Sequence, residues 1–214
     1  LANSTHIQGL TLSTTDVTAE VLSKLIAGED GNGVVERLLH CPQSQLVALV
    51  LRDTGLEDHH LIALVQALAT SKMKAIDFSG NNIRSLGFLE FAGQIPKMHS
   101  LQLLYIAHNP FGDDDFQARK ECGKALLQGV MENTSIIYVD GFKVPQFELV
   151  EHHLRLNNIR QNCIIPLTQS AEQQPFPAGL WPIILTKGKT KDVQQDCVYF
   201  LLQNCPTILS FCTK

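Results

Sequence analysis

"LQLLYIAHNPF", residues 101–111, sets leucine at 101 and 104, isoleucine at 106, asparagine at 109 and phenylalanine at 111. The same spacing recurs in "LVALVLRDTGL", with Leu46, Leu49, Leu51, Thr54 and Leu56, and in "MKAIDFSGNNI", with Met73, Ile76, Phe78, Asn81 and Ile83. The three copies start at 46, 73 and 101, offsets of 27 and 28, and all obey LxxLxLxx(N/T)xL. A fixed period of this length marks stacked structural units. An upstream copy, Ile7, Leu10, Leu12, Thr15 and Val17, begins 39 positions before Leu46; the excess falls in the turn-forming "GEDGNG" and a short helix-like "VVERLLH". A degraded copy begins at Ile136, 35 positions after Leu101, and carries Gly141 where the others have a large apolar residue. Irregular terminal units are expected of a repeat array.

The second half of each unit reads as helix. After Leu56, "EDHHLIALVQALATS" puts Leu61, Leu64, Val65 and Leu68 on one stripe at spacings of three and four, with Asp58 placed to cap it. Comparable stripes run through Val21, Leu22, Leu25 and Ile26, through Phe88, Leu89, Ala92 and Ile95, and through Leu126, Leu127 and Val130. One strand and one helix cannot cover their own apolar face, so neighbouring units must stack. The expected fold is α/β, a solenoid with short parallel strands on the concave side and helices on the convex side. At the ninth position of the repeat, the amides of Asn81 and Asn109 can satisfy backbone groups of adjacent turns. Thr15 and Thr54 stand there in the first two copies and offer fewer hydrogen bonds, so the N-terminal half is expected to be the looser one.

These motifs, above all "LVALVLRDTGLEDHHLIALVQALATSKM", resemble a leucine-rich repeat of the ribonuclease-inhibitor type, whose units carry a full helix. The resemblance covers residues 7–142. It implies a binding protein, since members of that family are mostly cytosolic binders such as nuclease inhibitors, innate-immune sensors and activators of a small nuclear GTPase. A tail with "EHHLRLNNIRQNC", "GLWPIIL" and a final helix is similar to that of uncharacterised algal leucine-rich repeat proteins, and implies no activity.

The domain organisation follows: residues 1–142 form the repeat array, in four to five units, and residues 143–214 a helical C-terminal cap packed on the last repeat. In that tail "PQFELVEHHLRLNNIRQN" reads as an amphipathic helix with Phe147, Val150, Leu154 and Ile159 inward, and "QSAEQQPFPAG" as a polar loop. "DCVYFLLQNCPTILSFC" supplies another apolar face from Val198, Leu201, Leu202 and Leu209, with Trp181 as an anchor. A cap is needed because an open terminal unit exposes apolar surface and a strand edge.

Charge and composition exclude several classes. The net charge is −4 and the pI near 6.0, which gives no cationic field for nucleic acid or anionic lipid. The longest apolar runs, such as "LWPIIL", fall far short of the roughly 20 residues of a membrane helix. The chain opens on "LANSTH" without an initiator Met or a signal-type run, so it is expected to be a piece of something longer, in the cytoplasm. Six cysteines lack any CxxC pair and read as reduced, mostly buried thiols; Cys197, Cys205 and Cys212, spaced at 8 and 7, suit one helix face better than a metal cluster. The sequons at Asn3 and Asn133 read as chance matches.

No catalytic constellation emerges. "TKGKTKD", residues 186–192, contains GKT, but Ile183 stands where a phosphate loop needs its first glycine, and Lys187, Lys189 and Lys191 read as a solvated basic spot. His59 with His60 and His152 with His153 are adjacent on helices and point about 100° apart, so neither pair can face one ion. "GDDDF", from Gly112, suits a helix cap better than a calcium loop. No GxSxG elbow is present. The expectation is a non-enzymatic chain with no cofactor, no metal, no small-molecule substrate, and an unidentified protein partner.

The strand face remains. Gly9 and Thr11, Ala48 and Val50, Ala75 and Asp77, Leu103 and Tyr105 alternate outward, extended by Arg52, Asp53, His108 and Tyr138. Tyrosine and arginine are enriched among binding anchors, so Tyr105, Asp77, Arg52 and His108 are the expected partner-binding residues. The favoured function is a protein–protein interaction scaffold. Two alternatives stand beside it: a GTPase-activating regulator, for which Arg52 is the available arginine, and the sensor end of a larger immune-type receptor.

Overall fold

A computed structural model describes residues 7–13, 19–26, 28, 33–41, 43–112, 115–140 and 144–164. The chain divides into two units, Leu1–Glu151 and His152–Lys214. Several expectations lie outside the described residues: the ninth position of the first copy at Thr15, Gly141, Trp181, the GKT stretch with its lysines, Cys197, Cys205, Cys212, Asn3, and everything expected of the tail beyond 164.

The first unit is α/β. Five short strands, β1 (Gly9–Ser13), β2 (Ala48–Arg52), β3 (Ala75–Asp77), β4 (Leu103–Tyr105) and β5 (Tyr138–Val139), form a sheet in the order of the sequence, every neighbouring pair parallel. Between them run α1 (Ala19–Ile26) and α2 (Val34–His40), α3 (Asp58–Thr70), α4 (Ser85–Gln94) with a 3₁₀ turn at Ile95–Lys97, and α5 (Phe116–Glu132). A sixth helix, α6 (Phe147–Ile159), begins in the first unit with Val150 buried. In the second unit Leu154, Asn157 and Ile159 are buried and the helix widens into a π-helical turn at Arg160–Ile164.

Register repeats the periodicity of the sequence residue by residue. Leu49 lies opposite Ile76 and Ile76 opposite Leu104, while Val50, Asp77 and Tyr105 line up one position later. The apolar positions of the three regular copies, from Leu46 to Phe111, are all buried. Phe78 meets Phe91 of α4 edge-on, with ring centroids 5.9 Å apart, and this contact puts the helix layer on the ladder side of the sheet. In β1 the equivalent Leu10 and Leu12 are half-buried, as a strand with a single neighbour dictates.

Asn81 and Asn109 tie one unit to the unit before it. The Asn81 Oδ1 accepts from Thr54 N at 3.0 Å and Leu56 N at 2.9 Å, and its Nδ2 donates to Leu51 O at 2.6 Å and Phe78 O at 2.8 Å. Asn109 repeats this one unit on, accepting from Ile83 N and donating to Phe78 O and Ile106 O. A second tie was not foreseen. Asp58, expected to cap its own helix, instead accepts from Arg84 N at 2.6 Å, at the start of α4. Ser85, its equivalent 27 residues later, accepts from Gly112 N at 3.0 Å in the next unit. The cap of α3 is Glu57, whose side chain receives the His60 N–H while His60 Nδ1 accepts from Glu57 N at 3.1 Å.

His60 is buried, and its Nε2 lies 2.8 Å from Ser23 Oγ of α1. Since Nδ1 accepts, the proton sits on Nε2 and is donated to Ser23. Burial pushes this imidazole below the ordinary 6.5, His59 adds to the effect and Glu57 opposes it. The unfolded chain therefore takes up a proton below about pH 6.5 where the folded chain does not, so stability is full above that pH and falls as pH drops below it. We expect the urea midpoint to decline between about pH 7 and pH 5, and a His60→Gln variant to show a flatter profile. An equal slope in both proteins would remove His60 as the cause.

Asn133, one of the two sequons, is consumed by the fold: buried, its amide donates to Ile95 O and Met98 O and accepts from Ser135 N and Ile136 N. A glycan there is incompatible with this packing. Cys122 is buried, and loss of solvation pushes its thiol up, away from the reactive thiolate.

Candidate functional site: the open strand face

With the helix layer on one side, the third and fifth positions of each repeat face the other way. Two rows result. One runs Gly9, Ala48, Ala75, Leu103, Tyr138, and the other Thr11, Val50, Asp77, Tyr105. Neighbouring strands are about 4.8 Å apart, so Val50, Asp77 and Tyr105 span about 10 Å. The rows begin with small side chains and end in bulky ones: Tyr105 and Tyr138 pack ring to ring, centroids 5.3 Å apart and planes at 49°. Tyr138 is 45% exposed, and Tyr105 is half-buried.

The structure brings two of the four expected residues into direct register, Asp77 of β3 opposite Tyr105 of β4. Asp77 Oδ1 accepts from Ser79 N at 2.9 Å, which fixes the carboxylate at the strand end. Arg52 ends β2 two residues beyond Val50 and is exposed; its Nε lies 3.5 Å from the Asp53 carboxylate beside it. His108 stands in the loop after β4, exposed, with φ of 57°.

That backbone angle is shared. The eighth position of the repeat is left-handed in three successive units: Asp53 at φ 53°, Gly80 at 69° and His108 at 57°. Only glycine takes this conformation without steric cost, and at Gly80 the missing side chain leaves the space that the Asp53 carboxylate fills, since a Cβ there would lie 1.8 Å from Asp53 Oδ1. His108 carries a side chain where the geometry favours none. His108→Gly is expected to raise unfolding stability by about 1 kcal/mol, measured in urea. A loss of stability would mean the imidazole supports the fold.

One residue of the face escaped the sequence reading. Asp140 holds the fifth position of the degraded copy, so the period places it beside Tyr105. Its Oδ1 accepts from Ile106 N at 2.6 Å and Ala107 N at 3.0 Å, standing in for a strand that ends at Val139. Counting on from Ile136 would have found it; Gly141 in place of an aliphatic obscured the match.

Elsewhere, a cavity of about 370 Å³ opens at the entry ends of the strands, lined by Leu38, Cys41, Leu46, Thr70, Lys72 and Met73 among others. None of the four expected residues lines it. Among the described residues no three His, Cys, Asp or Glu side chains gather to hold a metal ion, and no helix is long and apolar enough to cross a membrane.

No protein-family model matches the chain, and no curated protein matches it. Among solved structures, the chain is similar to one described as leiomodin-1 actin-binding site 2, with a TM-score of 0.64 and 16% identity over 80% of this chain and 92% of that one. At that identity the likeness is one of fold.

Proposed function

We propose that this chain is a leucine-rich repeat array of the ribonuclease-inhibitor type, residues 1–142, closed by a helical cap over 143–214, and that it works as a cytoplasmic, non-enzymatic protein-interaction scaffold. The partner sits on the open strand face, with Tyr105, Asp77, Arg52 and His108 as contacts. The observation that carries this reading is the aromatic pair of Tyr105 and Tyr138, left partly exposed on a sheet face that no described element covers. Tyrosine pairs of this kind bury large area at low entropic cost when a partner arrives. The likeness to a chain named for binding actin supports a protein partner and makes actin filaments the first to test. Arg52, held against Asp53, gives the GTPase-regulator alternative little support.

Co-sedimentation with actin filaments and affinity capture of other partners, each with wild type and Tyr105→Ala, test the reading. A bound protein that is lost on Tyr105→Ala, with the unfolding midpoint kept, is the expected result. Capture that survives both Tyr105→Ala and Tyr138→Ala sinks it.

A further inference from the structure

We infer that the strand face recognises its partner through a cationic side chain, an arginine or lysine of a basic protein segment, seated on the Tyr105 and Tyr138 rings between Asp77 and Asp140. This rests on the reading of the face as the interaction surface and adds the chemistry of what binds there.

Four observations converge. Register places Asp77 directly opposite Tyr105, one strand away. Asp140 comes at Tyr105 from the other side, its carboxylate bonded to the amide of Ile106, the next residue of the chain. The backbone positions of the two acids are thus about 10 Å apart, one on either side of Tyr105, at the usual strand spacing. Each spends Oδ1 on backbone amides, and among the described residues Oδ2 of neither takes a bond. The second ring, Tyr138, meets the first at 49°, so the two faces make a corner rather than a flat stack. A cation seated in such a corner is drawn to the negative faces of both rings and to both carboxylates.

Among the described residues the charges of the face have no internal answer to this. Its described acids are Asp53, Asp77 and Asp140; its one described guanidinium, Arg52, already lies 3.5 Å from Asp53. Asp77, Asp140 and Tyr105 are half-buried, where the attraction is screened less than on an open surface. An acidic or phosphorylated partner would instead bring like charge against Asp77 and Asp140.

The full chain, with its three tyrosines ring-labelled with ¹³C, is titrated with Nα-acetylarginine amide and with the neutral, near-isosteric Nα-acetylcitrulline amide. Tyr→Phe variants assign the rings. Asp77→Asn and Asp140→Asn keep the oxygen that accepts the backbone amides, so the fold is retained while the charge is lost. Expected are saturable shifts of the Tyr105 and Tyr138 rings with arginine and not with citrulline, and at least about fivefold weaker binding in the double Asp→Asn variant. Equal shifts with citrulline, unmoved rings, or unchanged affinity in the double variant overturn the proposal. If those negative results accompany a partner still lost on Tyr105→Ala, the interaction surface stands and only its cationic chemistry falls. Arginine binding beside capture that ignores Tyr105→Ala overturns the surface reading and this proposal with it.

Discussion

Asn81→Ala is expected to destabilise the fold by about 3–5 kcal/mol, because each buried polar group left without a partner costs about 1–3 kcal/mol. The substitution orphans Thr54 N and Leu56 N as donors and leaves Leu51 O with the Thr54 hydroxyl in place of the amide, in a site where Asn81 is 5% exposed. Water cannot readily replace it there. Against a typical domain stability of about 5–15 kcal/mol, such a loss puts the variant near the edge of folding. Asn109 makes the same kinds of bond but is half-buried, so solvent can take over part of its role and Asn109→Ala should cost less, about 1–2 kcal/mol. Asn81→Thr, which installs the residue found at position 54, should fall between wild type and Asn81→Ala. Urea unfolding of the three variants measures this order. Equal losses for Asn81→Ala and Asn109→Ala would show that the amide bridges matter less than the burial around them.

Phe78→Ala is the second large effect, about 3–5 kcal/mol, the usual cost of removing a buried phenyl ring. Phe78 is fully buried directly after the central strand β3, and the substitution removes its edge-on contact with Phe91. The upper part of the range is expected because the site has little freedom to close over the cavity: the Phe78 carbonyl is held by both Asn81 and Asn109. Leu12, at the same repeat position in β1, is half-buried beside a single neighbouring strand, so Leu12→Ala should cost far less. Comparable midpoints for the two variants would contradict a ladder whose burial depends on neighbours.

The ladder was legible because its signal is an apolar side chain at a fixed period, and burial enforces both. The residues at 46, 73 and 101 stand two positions ahead of three consecutive strands that lie side by side in parallel, in the register of the repeat. The facing of Tyr105 and Asp77 followed from strand alternation alone. Less legible was whatever depends on a second unit. Asp58 looks like the cap of its own helix in sequence, yet its acceptor oxygen reaches Arg84, and Glu57 and His60 close α3 between them. The role of Asp140 depends on where β5 stops, and the burial of Asn133 on the 3₁₀ turn and its carbonyls at Ile95 and Met98. Local pattern names the donor or acceptor type; only the neighbouring coil decides which partner it meets.

The ties from Asp58 to Arg84 and from Ser85 to Gly112 place the acceptor for the twelfth position of two successive units in the unit before it, at the same phase of the period. The three regular coils that these two ties join therefore present matching seams. A segment of one full period, duplicated or excised among these coils, would restore their seams, whereas an insert of partial length would shift the acceptors out of phase. The lineage of such a chain is free to change its reach in whole steps while the recognition rows keep their spacing.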